Sequence, residues 1–351
     1  PAQASGDQLL CEVRRANGVD ALTPGVLLPR RRAGVAGAPA ALLGVGGTSR
    51  DDIWVVGADK GDGPLVLHFD GTRWTRRNVG TRGDLWWALA TTPGRAFLAG
   101  KEGRILEVTP SEVRELETPS FGRQTVYGIA KDGRGRLLAV GGAAGRDGFV
   151  WRSDGGAFET LPLPRDLPRR ADGEVPALLK VATRGDEVVV VGDRGVVLRA
   201  VGDEPLTTVA WPAGQQNTER FFAVHPRGEG FVLAGGTGSG RLATLIAGVL
   251  KPVSTAQPLP ILQGVDGPAA TAVGQRGAWI SDVATAPTLT FPAGFPNAES
   301  LHAVWSAPDG TTIAVGGNVL SPRLDEGVAV ARGKELPPMP KELVALAPPP
   351  A

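Results

Sequence analysis

Five side chains in this sequence are chemically versatile and rare enough to be informative: Tyr127, Cys11, and the histidines His68, His225 and His302. A tyrosine nucleophile needs a carboxylate partner and cations that hold an acidic substrate. Tyr127 is the only tyrosine, and it sits in the apolar run "VYGI", where large residues are the rule, so packing is its expected role. The histidines are far apart in sequence, and none has a carboxylate or thiol at metal-ligand spacing. By simple alternation His225 is in phase with Ala223 whereas His302 is out of phase with Ala303, so the two rings are expected to leave opposite faces of their strands. Cys11 is the only cysteine, which rules out an internal disulfide and leaves an inert thiol or an interchain bridge.

Other candidate chemistry is weaker. "GGTGSGR" at 235 to 241 lacks the glycine spacing, the Lys-Ser/Thr pair and the following helix of a phosphate loop, and reads as a hairpin turn. "ADKGDG" offers calcium only Asp59 and Asp62, short of six oxygen ligands. No nucleophile elbow or zincin helix occurs. No catalytic residue, metal site or cofactor is therefore expected.

The bulk composition narrows the class. Lys plus Arg number 37 against 36 Asp plus Glu, a formal charge of +1, so no long-range field favours nucleic acid or an anionic membrane. Seven of the basic residues are Lys, which suggests a GC-rich bacterial genome. No apolar stretch approaches the 18 or so residues of a membrane helix, so no direct span is expected. The sequence opens "PAQASGDQLL" without methionine, as a mature exported form would, and a periplasmic, outer-membrane-associated or extracellular location is expected.

The elements that position these residues are repeats. A doublet ending in Gly closes an apolar run at Gly57, Gly100, Gly141, Gly192, Gly235, Gly274 and Gly316, with spacings of 43, 41, 51, 43, 39 and 42. Ten to thirteen residues earlier come two large residues, a small one and an aliphatic: "LLGV", "WWAL", "VYGI", "LLKV", "FFAV", "LQGV" and "LHAV". Each unit parses as four short strands separated by Gly, Asp or Pro turns, as in "ALLGV", "IWVVG", "PLVLHF" and "RWTRR". A period near 43 with four strands per unit predicts an all-β, seven-bladed β-propeller of four-stranded antiparallel blades.

Inner strands converge on the axis, and crowding there explains the small slot held by Gly44, Ala88, Gly128, Ala223, Gly264 and Ala303. Lys180 takes this slot in the fourth blade. It reads either as a packed stem whose ammonium reaches water in the axial channel or as a functional lysine near the axis. Residues 1–40 are an N-terminal extension, 41–336 the propeller and 337–351 a Pro-rich tail. A strand from "DQLLCEVRR" or from "GKELPPMPKELVAL" is expected to close the ring.

The turns "FDGTRW" (69 to 74) and "SDGGAF" (153 to 158) resemble degenerate Asp-boxes of sialidase-like and sortilin-like propellers. The unit "LWWALATTPGRAFLAGKEGRILEV" looks like the blade of photosystem II assembly-factor-like propellers and their non-photosynthetic bacterial relatives, a likeness carried by blades one to five more than six and seven. That resemblance implies a non-enzymatic scaffold that binds other proteins. A sialidase would need more than the lone Tyr127, and usually six blades.

Within a blade, the turn joining strands two and three must lie on the same face as the connections between blades. On that face each repeat offers one cation: Lys60, Lys101, Arg146, Arg194, Arg241, Arg276 and Arg323. The longest connection, at 164 to 177, adds Arg165, Arg169 and Arg170. These could frame an acidic patch of a partner, although Asp59, Asp62, Glu102, Asp147, Asp193, Asp325 and Glu326 share the loops and support a plain solvated-turn reading. Trp54, Trp86, Trp87, Trp151 and Trp305 fall in strands and are expected in the core, and Trp74, Trp211 and Trp279 are left open.

The sequence thus reads as a non-enzymatic protein-binding scaffold or accessory subunit of a bacterial envelope or extracellular assembly. The alternatives are a carbohydrate-binding or carbohydrate-active propeller, sialidase-like or lyase-type, working at the axial channel near Lys180 and Tyr127, and a ligand-sensing propeller from a longer chain.

Overall fold

Four-to-eight-residue runs rich in Val, Ala and Leu, each closed by Gly or Asp, favour short strands paired with their sequence neighbours. In the computed structural model, which describes residues 8–12, 40–143, 145–212, 219–292, 299–324 and 326–336, these runs form seven four-stranded antiparallel sheets. Blade 1 is Leu42–Ser49, Asp52–Asp59, Pro64–Phe69 and Trp74–Arg76. The inner strands of blades 2 to 7 are Leu85–Thr92, Thr125–Lys131, Leu178–Arg184, Phe221–Arg227, Leu262–Asp266 and Ser300–Ser306. Each inner strand packs on the next, and that of blade 7 packs on that of blade 1. The chain is an all-β, seven-bladed propeller.

Both faces of every sheet are covered, and the strand period of two distributes side chains between them. In the second strand of blade 4, Glu187–Gly192, Val188 and Val190 enter the core shared with blade 3, whereas Val189 and Val191 enter the core shared with blade 5. Seven such inter-blade cores exist, the last joining Ile313 and Val315 of blade 7 to Leu42 and Val55 of blade 1. Burying one valine fully is worth roughly 1.5 kcal/mol or more, so stability is spread around the ring. Trp74 and Trp279 belong to this core at 3% and 2% exposure. Trp86, Trp87 and Trp305, expected there, are only half-buried.

The strand Gln8–Glu12 pairs antiparallel with Gly327–Arg332 as the outer strand of blade 7. Of the two segments able to close the ring, the structure uses the N-terminal one. The side chain of Cys11 and the tail from residue 337 lie outside the described residues, as does Asp325.

One irregularity recurs in all seven inner strands. The first large residue pairs with the repeat glycine, as Leu42 with Gly57, and the small residue pairs with the residue before it, as Gly44 with Val56. The residue between them is bulged out of the ladder. The same shift occurs at Leu85/Trp87, Val126/Gly128, Leu178/Lys180, Phe221/Ala223, Leu262/Gly264 and Leu301/Ala303. The bulge drives the carbonyl that precedes the first large residue against the repeat glycine. A Cβ added at Gly57 would lie 2.4 Å from Ala41 O, and one at Gly316 1.8 Å from Ser300 O. No other residue fits such a close approach, which explains the sevenfold glycine.

This register corrects one assignment. In blade 2 the small slot belongs to Trp87, paired with Ala99, and not to Ala88. Crowding at the slot holds elsewhere: a Cβ on Gly44 would meet Trp86 O at 2.9 Å and the Trp87 Cα at 3.0 Å.

Candidate functional site

The bulges redirect one large side chain per blade. Trp86, Tyr127, Leu179, Phe222, Gln263 and His302 all line a cavity of about 330 Å³, together with Lys180 from the small slot. Gly145, Ala177, Asp193 and Arg220, which lie in turns and connections, line it as well, so the cavity opens toward the turn face. Tyr127, expected to be packing, is half-buried and presents its ring to this space, edge-on to Trp86 with centroids 5.6 Å apart. Simple alternation did not reveal this set, because the bulge shifts the phase by one residue.

Lys180 is 7% exposed. Its Nζ donates to Tyr127 O at 3.0 Å and stands 3.7 Å over the ring of Trp87, two blades away. The stem spans the gap left by Gly128, whose added Cβ would lie 3.2 Å from Lys180 Cδ. The slot residues Trp87, Gly128 and Lys180 are thus one unit: a large ring, an empty position and a long cation. Burial pushes the Lys180 ammonium down to about 7. Among the described residues, no carboxylate lies within 4 Å of it.

His302 Nδ1–H donates to Leu43 O at 2.6 Å, which leaves Nε2 as the acceptor. Burial, with the Lys180 charge adding to it, lowers this imidazole to about 4, so it is neutral at neutral pH. His225 lies elsewhere, with Nδ1 3.0 Å from Asp266, and His68 is 2.8 Å from Asp52. At the mouth Arg220 pairs with Asp193, whose carboxyl is raised by burial against the pull of that arginine. Trp86 Nε1 and Gln263 Oε1, both from cavity-lining residues, have no hydrogen-bond partner.

The turn face carries the ten cations singled out from the sequence, and their surroundings differ. Lys101 pairs with Asp84 at 2.6 Å, Arg241 with Glu219 at 3.1 Å and Arg170 with Asp172 at 3.4 Å. Lys60 donates to Arg323 O at 2.7 Å and Arg169 to Gly173 O at 3.1 Å. Arg146, Arg165, Arg194, Arg276 and Arg323 are exposed and meet no carboxylate within 4 Å among the described residues. Arg82 and Arg123, on blade-to-blade connections, are exposed on the same face; sequence reading passed over them because they follow no repeat position.

Turn geometry sets the backbone at two of these arginines. Glu102, Arg194 and Arg276 take the equivalent place in blades 2, 4 and 6, with φ of 61°, 54° and 58°, each followed by a glycine of positive φ. Two consecutive left-handed residues make the turn that fits a twisted hairpin. Thus Glu102, and not Lys101, is the blade 2 counterpart of Arg194. Asp59 organises the corresponding turn of blade 1 and ties it to the next connection, accepting from the amides of Gly61, Gly63 and Gly83. Those bonds hold its carboxyl below the ordinary value although burial alone would raise it.

On the opposite face six arginines are engaged by carboxylates, while Arg152 and Arg227 meet none within 4 Å among the described residues. Glu187 takes Arg199 at 2.6 Å and Arg184 at 2.7 Å, Glu107 takes Arg95 and Arg114, and Asp203 takes Arg134 and Arg136. Exposed apolar residues occur on both faces. Phe121 (83% exposed), Leu320 (65%) and Phe291 (52%) stand on the turn face; on the other, Ile246 and Val249 pair with each other across a hairpin.

No protein-family model matches the sequence, and no curated protein matches it. Solved structures do. YCF48 from Cyanidioschyzon merolae aligns with a TM-score of 0.58 at 14% identity, over 84% of this chain and 96% of that one. The WD40 β-propeller domain of Doa1 aligns at 0.60 and 11% identity, over 94% and 98%. The WD40 repeats of RRP9 align at 0.61 and 14% identity, over 94% and 99%. At such identities the likeness is one of fold, a propeller of matching extent.

Proposed function

We propose that this chain is a non-enzymatic scaffold or accessory subunit of a bacterial envelope or extracellular assembly, and that it docks an acidic segment of a partner protein through the turn face. The observation that carries this reading is the contrast between the faces. Arg95, Arg114, Arg134, Arg136, Arg184 and Arg199 on one are paired with carboxylates, whereas Arg146, Arg165, Arg194 and Arg276 on the other are exposed and meet none within 4 Å among the described residues, on a face that also exposes Phe121, Phe291 and Leu320. Arginine forks with apolar anchors are the residue types that dominate binding energy at protein interfaces. Holding Arg194 and Arg276 in left-handed backbone costs about 1 kcal/mol each, and both side chains are exposed there.

The test is the double charge reversal Arg194→Glu with Arg276→Glu. Glu102 already occupies the equivalent turn position, so both changes suit the backbone. Affinity capture from the native envelope should recover a partner with the parent chain and at least tenfold less with the variant, and the loss should be mimicked by raised salt. Equal recovery would refute docking at this face.

A further inference from the structure

The axial cavity holds a buried cation with no counter-charge, which is the feature hardest to explain by folding alone. Desolvating an ammonium is costly unless it is paired. Lys180 has a carbonyl and an aromatic face for partners, but no anion. Around it stand Trp86, Phe222, Leu179 and Tyr127, an apolar and largely aromatic wall. Gln263 is 7% exposed and its Oε1 is unpartnered, as is Trp86 Nε1. The crowded hub of a propeller would be filled at less cost by alanine or leucine at these positions.

We infer that the axial cavity is a binding site for a small aryl or branched-alkyl monocarboxylate, whose carboxylate pairs with Lys180 and whose apolar body lies among Trp86, Tyr127 and Phe222. The carboxylate supplies the missing charge. A cavity of about 330 Å³ equals roughly ten waters at about 30 Å³ each, room for a ligand of about ten non-hydrogen atoms. Asp193 and Arg220 at the mouth neutralise each other and leave the charge preference to Lys180. This site does not rest on the docking reading, since it uses none of the turn-face arginines.

Proton linkage gives the site a signature. The other ionisable groups facing Lys180 across the cavity are Tyr127, Asp193, Arg220 and His302. Burial raises Tyr127 above its ordinary 10, and His302 is neutral well below pH 7, so neither changes charge between pH 7 and 9. Asp193 is held against Arg220. Over this range Lys180 is the amine that titrates, and carboxylate binding must take up its proton.

The experiment is isothermal titration calorimetry of the whole chain with phenylacetate, its neutral isostere phenylacetamide, and glucose. Phenylacetate should bind, with phenylacetamide at least tenfold weaker and the apparent affinity falling about tenfold per pH unit above 7. Lys180→Met should weaken phenylacetate at least tenfold. Should Lys180→Met fail to fold, the amide comparison and the pH dependence in the parent chain carry the test. Equal binding of acid and amide, no phenylacetate binding up to about 10 mM, pH-independent binding, or binding of glucose instead would each overturn the proposal.

Discussion

At the residue scale the informative side chain is Lys180. The sequence marks it as anomalous, a long cation among glycines and alanines, but not what surrounds it. Its partner Trp87 lies 93 positions earlier, and the two meet only because the intervening slot is Gly128. The stem is drawn across Gly128, and the amine donates to Tyr127 O, stands over the indole and borders the axial cavity. The consequence is measurable. The amine titrates near 7 in the folded chain and near 10.5 when unfolded. Between these values the unfolded state binds the extra proton, so stability rises with pH across that window, by at most about 1.4 kcal/mol per unit. Urea denaturation of the parent chain and Lys180→Met should therefore show a difference that grows in favour of the parent from pH 7 to 10. A constant difference would mean that the amine stays charged and solvated. His302 acts at the other end. Its imidazole is near 4 folded and 6.5 unfolded, so its contribution is lost as pH falls from 6.5 to 4.

At the element scale the recurring device is the inner-strand bulge. The sequence shows its two ends, a large-large-small-aliphatic run and a distant glycine, without showing that they touch. Strict alternation is the natural reading of such strands, and it fails at the extra residue. That is why Tyr127 read as ordinary packing, and why three consecutive large residues, Leu85, Trp86 and Trp87, hid the correct phase of blade 2. The account predicts that Gly192→Ala is severely disruptive, since its Cβ would lie 2.5 Å from Ala177 O in a fully packed site. A loss of about 2 to 4 kcal/mol in chemical denaturation is expected. Gly156→Ala, with open space around the added carbon, serves as the control and should be near neutral. Equal effects of the two would contradict the bulge as the cause of the repeat glycine.

At the scale of the whole molecule, the number of blades, their four strands and the face that carries turns and connections were all legible. Each follows from local periodicity and the antiparallel rule. Which chain end closes the ring was not, because both segments alternate equally well and closure depends on a pairing more than 300 residues apart, Leu9 with Val330. Removing residues 1–12 should expose the edge of Gly327–Arg332, lower the thermal midpoint by roughly 5 °C and promote self-association through that edge. An unchanged midpoint would mean that the strand contributes nothing. The distribution of free arginines between the faces was also hidden, since it depends on carboxylates brought in from neighbouring strands and blades, as Asp186 and Asp203 are to Arg134.

The central claim, that this ring works by docking one of its two faces, is tested most directly by site-specific photocrosslinking in the native host. A benzophenone side chain placed at Phe121 or Phe291 on the turn face should trap the same discrete partner, and one placed at Val249 on the opposite face should trap none. Crosslinks of equal yield from both faces, or from Val249 alone, would contradict it.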